Sequence, residues 1–258
     1  MTRTQERVPA ASAGGIFSAL YGALAYLFFF GTFLYLIGFV AGAPFLPKTI
    51  DSGAPGPALI SALINLAVLG LFGVQHSVMA RPAFKRWWAN IVPPVVERST
   101  FVVAASAVLV MLVWVWQPMP QTVWRVGESV FANALWALQV LGWGTVLLST
   151  FLINHFELFG LQQTFAALTG RPPSPPKFYT PLLYKYVRHP LYLGFIVAFF
   201  ATPNMSQGHL LFAIAGTAYI LVGIFFEERD LVAHFGETYR RYQKQVPMLL
   251  PFLGKRGA

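Results

Sequence analysis

Long apolar runs separated by short basic stretches dominate the chain. A helix needs roughly 20 apolar residues to cross the hydrocarbon core of a bilayer. Four runs approach or exceed that length: Ile16–Val40, Ala58–Met79, Thr100–Trp116 and Phe131–Ile153. A further apolar stretch, Leu191–Phe226, is broken at Thr202-Pro203-Asn204 and by Gly208. That pattern predicts two segments, Leu191–Ala201 and His209–Phe226, joined by a tight turn. The first is short for a full span, so it either starts near Tyr184 or forms one arm of a helical hairpin. Ala41-Gly42-Ala43 resembles a leader cleavage site, but secretory apolar cores run only about 7–15 residues. The first run is therefore expected to be a retained helix. The predicted fold is an all-α integral membrane protein with about five to six transmembrane helices, including a C-terminal helical hairpin.

Loop charges test this span count, because Lys and Arg concentrate in cytoplasmic loops. With a cytoplasmic N-terminus and six alternating segments, 18 Lys and Arg distribute so that only Lys48 and Arg125 fall outside. A wrong count would mix the two classes. Both termini are therefore expected in the cytoplasm, with residues 1–15 a tail and 16–258 a single membrane domain. The longest inside loop holds Arg171-Pro172-Pro173-Ser174-Pro175-Pro176, which reads as a stiff extended spacer.

Composition agrees. Hydrophobic residues make up 56% of the chain and charged residues 10%, against about 25% charged in a soluble domain. The net charge of +9 is scattered between spans, which fits membrane orientation and not nucleic-acid binding. The absence of cysteine excludes disulfides, thiolate metal sites and a cysteine nucleophile.

Ionisable residues beside a span are costly and mark candidate sites. Four such clusters are expected at one membrane face: Gln75-His76-Ser77, Asn154-His155-Phe156-Glu157, Arg188-His189-Pro190 and Glu227-Glu228-Arg229-Asp230. Each also has a plain structural account. His76 suits packing or a headgroup contact, and His155 and Glu157 suit capping or pairing with a loop cation. Glu227, Asp230 and His234 share a helix face, as a solvated stripe or a metal set, although no His-x-x-x-His spacing supports a metal. Gly142-Trp143-Gly144 lacks the third glycine and the strand of a dinucleotide loop. Like the pair Gly38 and Gly42, it reads as small residues that let helices approach.

The C-terminal third carries Arg188-His189-Pro190-Leu191-Tyr192-Leu193-Gly194, then Glu227-Glu228, then Phe235-Gly236-Glu237-Thr238-Tyr239-Arg240-Arg241-Tyr242 and Val246-Pro247. This ordered set resembles the isoprenylcysteine carboxyl methyltransferase and phospholipid methyltransferase superfamily. Pro47-Lys48-Thr49-Ile50-Asp51, Val74 to Arg81, Phe84 to Trp88, Pro93-Pro94 with Glu97-Arg98-Ser99, and His155 to Gln162 are similar to the bacterial methanethiol S-methyltransferases. Gln245 stands where prenylcysteine enzymes are expected to carry Arg before Val-Pro, and a neutral thiol needs no such counter-charge.

The resemblance implies S-adenosylmethionine in a cytoplasm-facing pocket of a bacterial inner membrane protein, formed within residues 184–258. Tyr186, Val187, Arg188, His189, Pro190, Tyr192, Leu193 and Gly194 would line it, with Glu227 and Glu228 holding polar groups and His189 shaping the pocket. The acceptor implied is methanethiol, giving dimethyl sulfide. Thiolate and not thiol is the nucleophile, so a histidine base is expected. His155 is favoured, then His76, with Glu157 or Asn154 orienting the ring and Phe156 and Phe159 near the sulfonium. The nearest alternative is methylation of a prenylcysteine or phospholipid, which predicts a lateral opening for a long chain. A transporter or accessory protein predicts polar groups spread through the bilayer depth. A nicotinamide-dependent reductase sharing the hairpin ranks last. Oligomeric state has no signature in the sequence.

Overall fold

A computed structural model describes residues 13–170 and 178–251. The Pro-rich spacer at 171–176 and the two terminal tails lie outside the described residues. Among the described residues, five helices are long and apolar enough to cross a membrane: α1 (Ala13–Ala41), α2 (Ala58–Ala80), α4 (Pro94–Val115), α5 (Val130–Ile153) and α9 (Gln207–Phe235). Short helices connect them: α3 (Pro82–Trp88), α6 (His155–Leu158), α7 (Leu161–Thr169), α8 (Pro190–Phe200) and α10 (Glu237–Gln245). A two-stranded antiparallel sheet, β1 (Thr122–Arg125) with β2 (Asn204–Ser206), closes one end.

Two span boundaries differ from the hydropathy reading, for the same reason. The third span starts at Pro94 and not at Thr100, because proline at the first turn is pre-set for a helix and its missing N–H costs nothing there. Glu97 and Arg98 are thereby helical. The sixth span continues past Phe226 to Phe235, so Glu227, Glu228, Asp230 and His234 all ride on α9. Charges end an apolar run without ending a helix.

The fifth segment is an arm of the hairpin. Its 11 residues rise roughly 16 Å, about half the hydrocarbon core. The buried stretch through Ala201, Thr202 and Met205 then carries the chain into β2. Buried protein backbone of this kind needs no helix, because β1 and Trp124 Nε1, bonded to the Thr202 carbonyl at 3.0 Å, satisfy it. Gly142 and Gly194 let α8 lie directly on α5. A Cβ added to Gly142 would sit 2.7 Å from the Ala198 nitrogen and 2.8 Å from the Gly194 oxygen. Gly38 and Gly42, by contrast, do not form a helix-packing face. Gly42 has φ +68° just past α1, and Gly38 makes room for Leu46 as the chain folds back. They end a helix.

The core joins Leu36, Phe39 and Val40 of α1 to Trp143 and Val146 of α5, Ala198 and Phe199 of α8, and Phe212 and Ile220 of α9. At the strand-bearing end, Asn65 is paired in both directions with Gln117 at 2.8 Å, and Trp116 Nε1 donates to the Ile50 carbonyl at 3.1 Å. The ionisable clusters lie at the opposite end, where Arg81 pairs with Asp230, Arg188 with Glu228, and Arg98 Nε donates to the Leu158 carbonyl just past the Asn154–Glu157 cluster.

Candidate active site

Three stations of polar side chains occupy that end. At the first, α8, α9 and α10 meet around Glu228. Its Oε1 accepts from Arg188 Nε at 2.6 Å and His189 Nε2 at 3.0 Å, and its Oε2 accepts from Gln243 Nε2 at 2.9 Å. Arg188 Nη1 also donates to the carbonyls of Gln243 and Val246. The backbone N–H groups of Arg188 and His189 bond to Pro247 and Met248 carbonyls. Burial raises the phenol of Tyr242 to about 12, so it stays a proton donor, to the Tyr184 carbonyl. Charge-assisted bonds of this sort are strong, and here every one is spent on locking the C-terminal segment.

The neighbouring acid behaves otherwise. Glu227 has a 42% exposed side chain and accepts from the Tyr192 hydroxyl through Oε2 at 2.7 Å. Its Oε1 has no hydrogen bond among the described residues. Of the other residues expected to line a cofactor, Tyr186 is exposed, Leu193 is half-buried, Val187 and Pro190 are buried, and Gly194 faces α5.

The second station centres on His155, which is 3% exposed. Its Nε2 lies 2.8 Å from the Tyr26 hydroxyl and its Nδ1 lies 2.8 Å from Thr150 Oγ1. Thr150 also bonds to the Leu147 carbonyl at 2.7 Å. A carbonyl only accepts, so the one Thr150 proton goes there, and His155 Nδ1 donates to the threonine oxygen. Nε2 then accepts from Tyr26. Phe151 stacks on the ring at 4.1 Å, and Phe156 and Phe159 meet its edges. Burial lowers the His155 pKa below its ordinary 6.5, and the ring is neutral. Glu157 and Asn154 do not orient it: Asn154 caps α6 and donates to Glu157 Oε2 and Gln162 Oε1.

The third station lies between α2, α4 and α9. His76 packs its ring 4.9 Å from Phe101, 5.3 Å from Phe72 and 6.5 Å from Tyr219. Among the described residues its buried Nδ1 has no partner, and neither do Gln75 Oε1 and Gln163 Oε1. Native interiors leave few such atoms unpaired. Arg98 reaches the same Phe101 ring, its guanidinium carbon 4.9 Å from the centroid, while Nε donates to the Leu158 carbonyl at 2.7 Å. Gly160 sets this contact. With φ +85° and the Ser99 nitrogen 2.7 Å from where a Cβ would lie, only glycine lets the turn before α7 close onto the start of α4.

No protein-family model matches the chain, and no solved structure matches it. Methanethiol S-methyltransferase of Mycobacterium tuberculosis is 54% identical over 233 residues, covering 90% of this chain and 95% of that protein. Its namesake in Pseudomonas deceptionensis is 53% identical over 253 residues, 98% of this chain and 96% of that one. The chain belongs to the methanethiol S-methyltransferase family. Nurim of Bos taurus, 24% identical over 228 residues, fits a wider membrane superfamily around it.

Within this member of the family, the structure unites Arg188, His189, Tyr192, Glu227 and Glu228 in one cluster. Asn154, His155 and Glu157 form another, and His76 makes no hydrogen bond to either among the described residues, its ring lying 6.5 Å from that of Tyr219. Glu227, Asp230 and His234 share a face of α9 yet go separate ways, to Tyr192, to Arg81 at 3.1 Å and to the Phe235 ring. No group of three metal-binding side chains occurs among the described residues. Sequence reasoning passed over Tyr26, Thr150, Arg98 and Tyr219. Tyr26 carried a signal, a hydroxyl in the middle of an apolar run. Arg98 was hidden by its assignment to a loop.

Proposed function

We propose that this methyltransferase moves the methyl group of S-adenosylmethionine to methanethiol, giving dimethyl sulfide, at a site facing the cytoplasm of a bacterial inner membrane. The observation that carries this reading is identity of 53–54% to relatives named for that reaction, across nearly the whole chain. The concentration of basic side chains at the site's end of the bundle supports the orientation.

The side chains fit such a cofactor. Glu227 offers a free carboxylate oxygen beside Tyr192, suited to a ribose diol or an exocyclic amine, and Tyr192 and Tyr219 add aromatic surface. When bound, S-adenosylmethionine supplies a methyl carbon made electrophilic by its sulfonium. The protein's part is to position the acceptor, exclude water and take a proton. Of the two candidate bases, His76 has a ring nitrogen without a partner, whereas His155 has both engaged. His76 is therefore the base, and His155 with Tyr26 is a positioning pair. This reverses the order expected from sequence.

The test is to supply purified protein with S-adenosylmethionine and methanethiol and measure dimethyl sulfide in the headspace, with a long-chain thiol in parallel. Dimethyl sulfide is expected, with little turnover of the longer thiol. Protein that binds the cofactor yet forms no dimethyl sulfide overturns the reading.

A further inference from the structure

The first turns of α4 carry a cation whose hydrogen-bonding edge is unspent. Arg98 is half-buried, held at Nε by the Leu158 carbonyl and seated on Phe101. Among the described residues its two Nη groups make no hydrogen bond, and no carboxylate lies within ion-pair distance of it. The acids nearest in sequence and space are committed elsewhere. Glu97 pairs with Lys85 at 3.7 Å, and Glu157 receives Asn154 at 2.8 Å. Glu97 and Glu157 act on the Arg98 charge from beyond ion-pair distance, but neither bonds its Nη groups, and a pre-oriented pair of N–H donors withdrawn from water is suited to an anion.

The neighbouring group says which anion. His76 shares the Phe101 ring with Arg98, and its buried Nδ1 lacks a partner among the described residues. A base with an open nitrogen beside a cation with open donors is the arrangement needed to make an anion and hold it. We propose that Arg98 is a catalytic residue of this site, its Nη groups holding the methanethiol sulfur as a thiolate. This rests on the function proposed above. The S–H bond breaks, the proton forms an N–H bond at His76 Nδ1, and the electron pair stays on sulfur, facing Arg98. With the thiolate present, the trio of Arg98, imidazolium and sulfur carries one net positive charge and not two. Glu97 on α4, Glu157 on α6, Tyr219 on α9, and the cations Arg81 and Lys85 that contact Ser77 and Glu97 are charged or titratable groups around this pair, and turnover ends with the proton released to water.

The experiment compares Arg98→Gln and Arg98→Lys with the wild-type chain in detergent. It follows kcat/KM for methanethiol against pH, cofactor affinity by equilibrium dialysis, and the thermal midpoint. A fourth readout is the ultraviolet difference spectrum of thiolate when methanethiol meets protein saturated with S-adenosylhomocysteine. Arg98→Gln is expected to lower kcat/KM by about 10²- to 10³-fold and abolish the thiolate signal. The deficit shrinks as rising pH supplies thiolate from solution, while cofactor affinity and midpoint hold. Arg98→Lys restores part of the rate. Three results would overturn the assignment. One is weakened cofactor binding with an unchanged KM for thiol, which places Arg98 at the cofactor. Another is a rate loss independent of pH with a lowered midpoint, the mark of a helix tie. The third is an unchanged rate. Wild-type protein that binds cofactor and forms no dimethyl sulfide removes the function itself, a result distinct from all three.

Discussion

His155 and His76 stand near the same end of the bundle and differ in one respect. Tyr26 and Thr150 occupy both nitrogens of His155, and three phenylalanines enclose its ring. His76 is equally surrounded by aromatic rings, yet among the described residues its Nδ1 has no hydrogen-bond partner. The same contrast separates two adjacent acids on α9, since Glu228 is saturated by Arg188, His189 and Gln243 while Glu227 keeps an oxygen open. Saturated polar groups hold this fold together. Residue type alone does not say which groups find partners and which do not.

The sharpest way to break that comparison is to remove each histidine. His76→Gln is expected to cut turnover by about 10²- to 10⁴-fold with cofactor affinity intact, whereas His155→Gln costs mainly thermal stability. Steady-state kinetics beside unfolding scans decide it, and the opposite pattern would restore His155 as the base. The two acids follow. Glu228→Gln should lower stability by about 2–3 kcal/mol, because Arg188 loses its charged acceptor at a largely buried position, measurable as a fall in detergent-stabilised midpoint. Glu227→Gln should leave that midpoint alone and weaken cofactor binding about tenfold, read by equilibrium dialysis.

The smallest effect is a pH slope. His155 has its folded pKa below the ordinary 6.5, so above that value both folded and unfolded chains carry it neutral. As pH falls below it, the unfolded chain takes up a proton that the folded chain refuses, and stability drops. The midpoint of the wild-type protein should therefore fall more steeply than that of His155→Gln between neutral pH and about 5. Equal slopes would mean that the ring is not held neutral by burial.

Much of the architecture was legible in one dimension. Ala58 was identified as a span start from hydropathy and Ile153 as a span end, and both stand. The hairpin arm at Pro190–Phe200 was visible in the break at Thr202-Pro203-Asn204. Arg98 was misread because an apolar run was taken to coincide with its helix, and Gly42 because a spacing shared with packed helices also ends them. The sequence pointed to the polar clusters, but the hydrogen-bond partners within them, such as Tyr26 and Thr150 on His155, were not legible in it.

The division has a physical cause. A lipid-spanning helix must satisfy its backbone within its own segment, so span number and placement are local properties that the order of residues determines. Whether a side chain is satisfied depends on partners that only folding supplies. His155 meets Tyr26 across 129 positions of chain, and Arg188 meets Glu228 across 40. Sequence determined which chemical groups arrive at the site's end of the bundle. Tertiary structure decided which of them find hydrogen-bond partners.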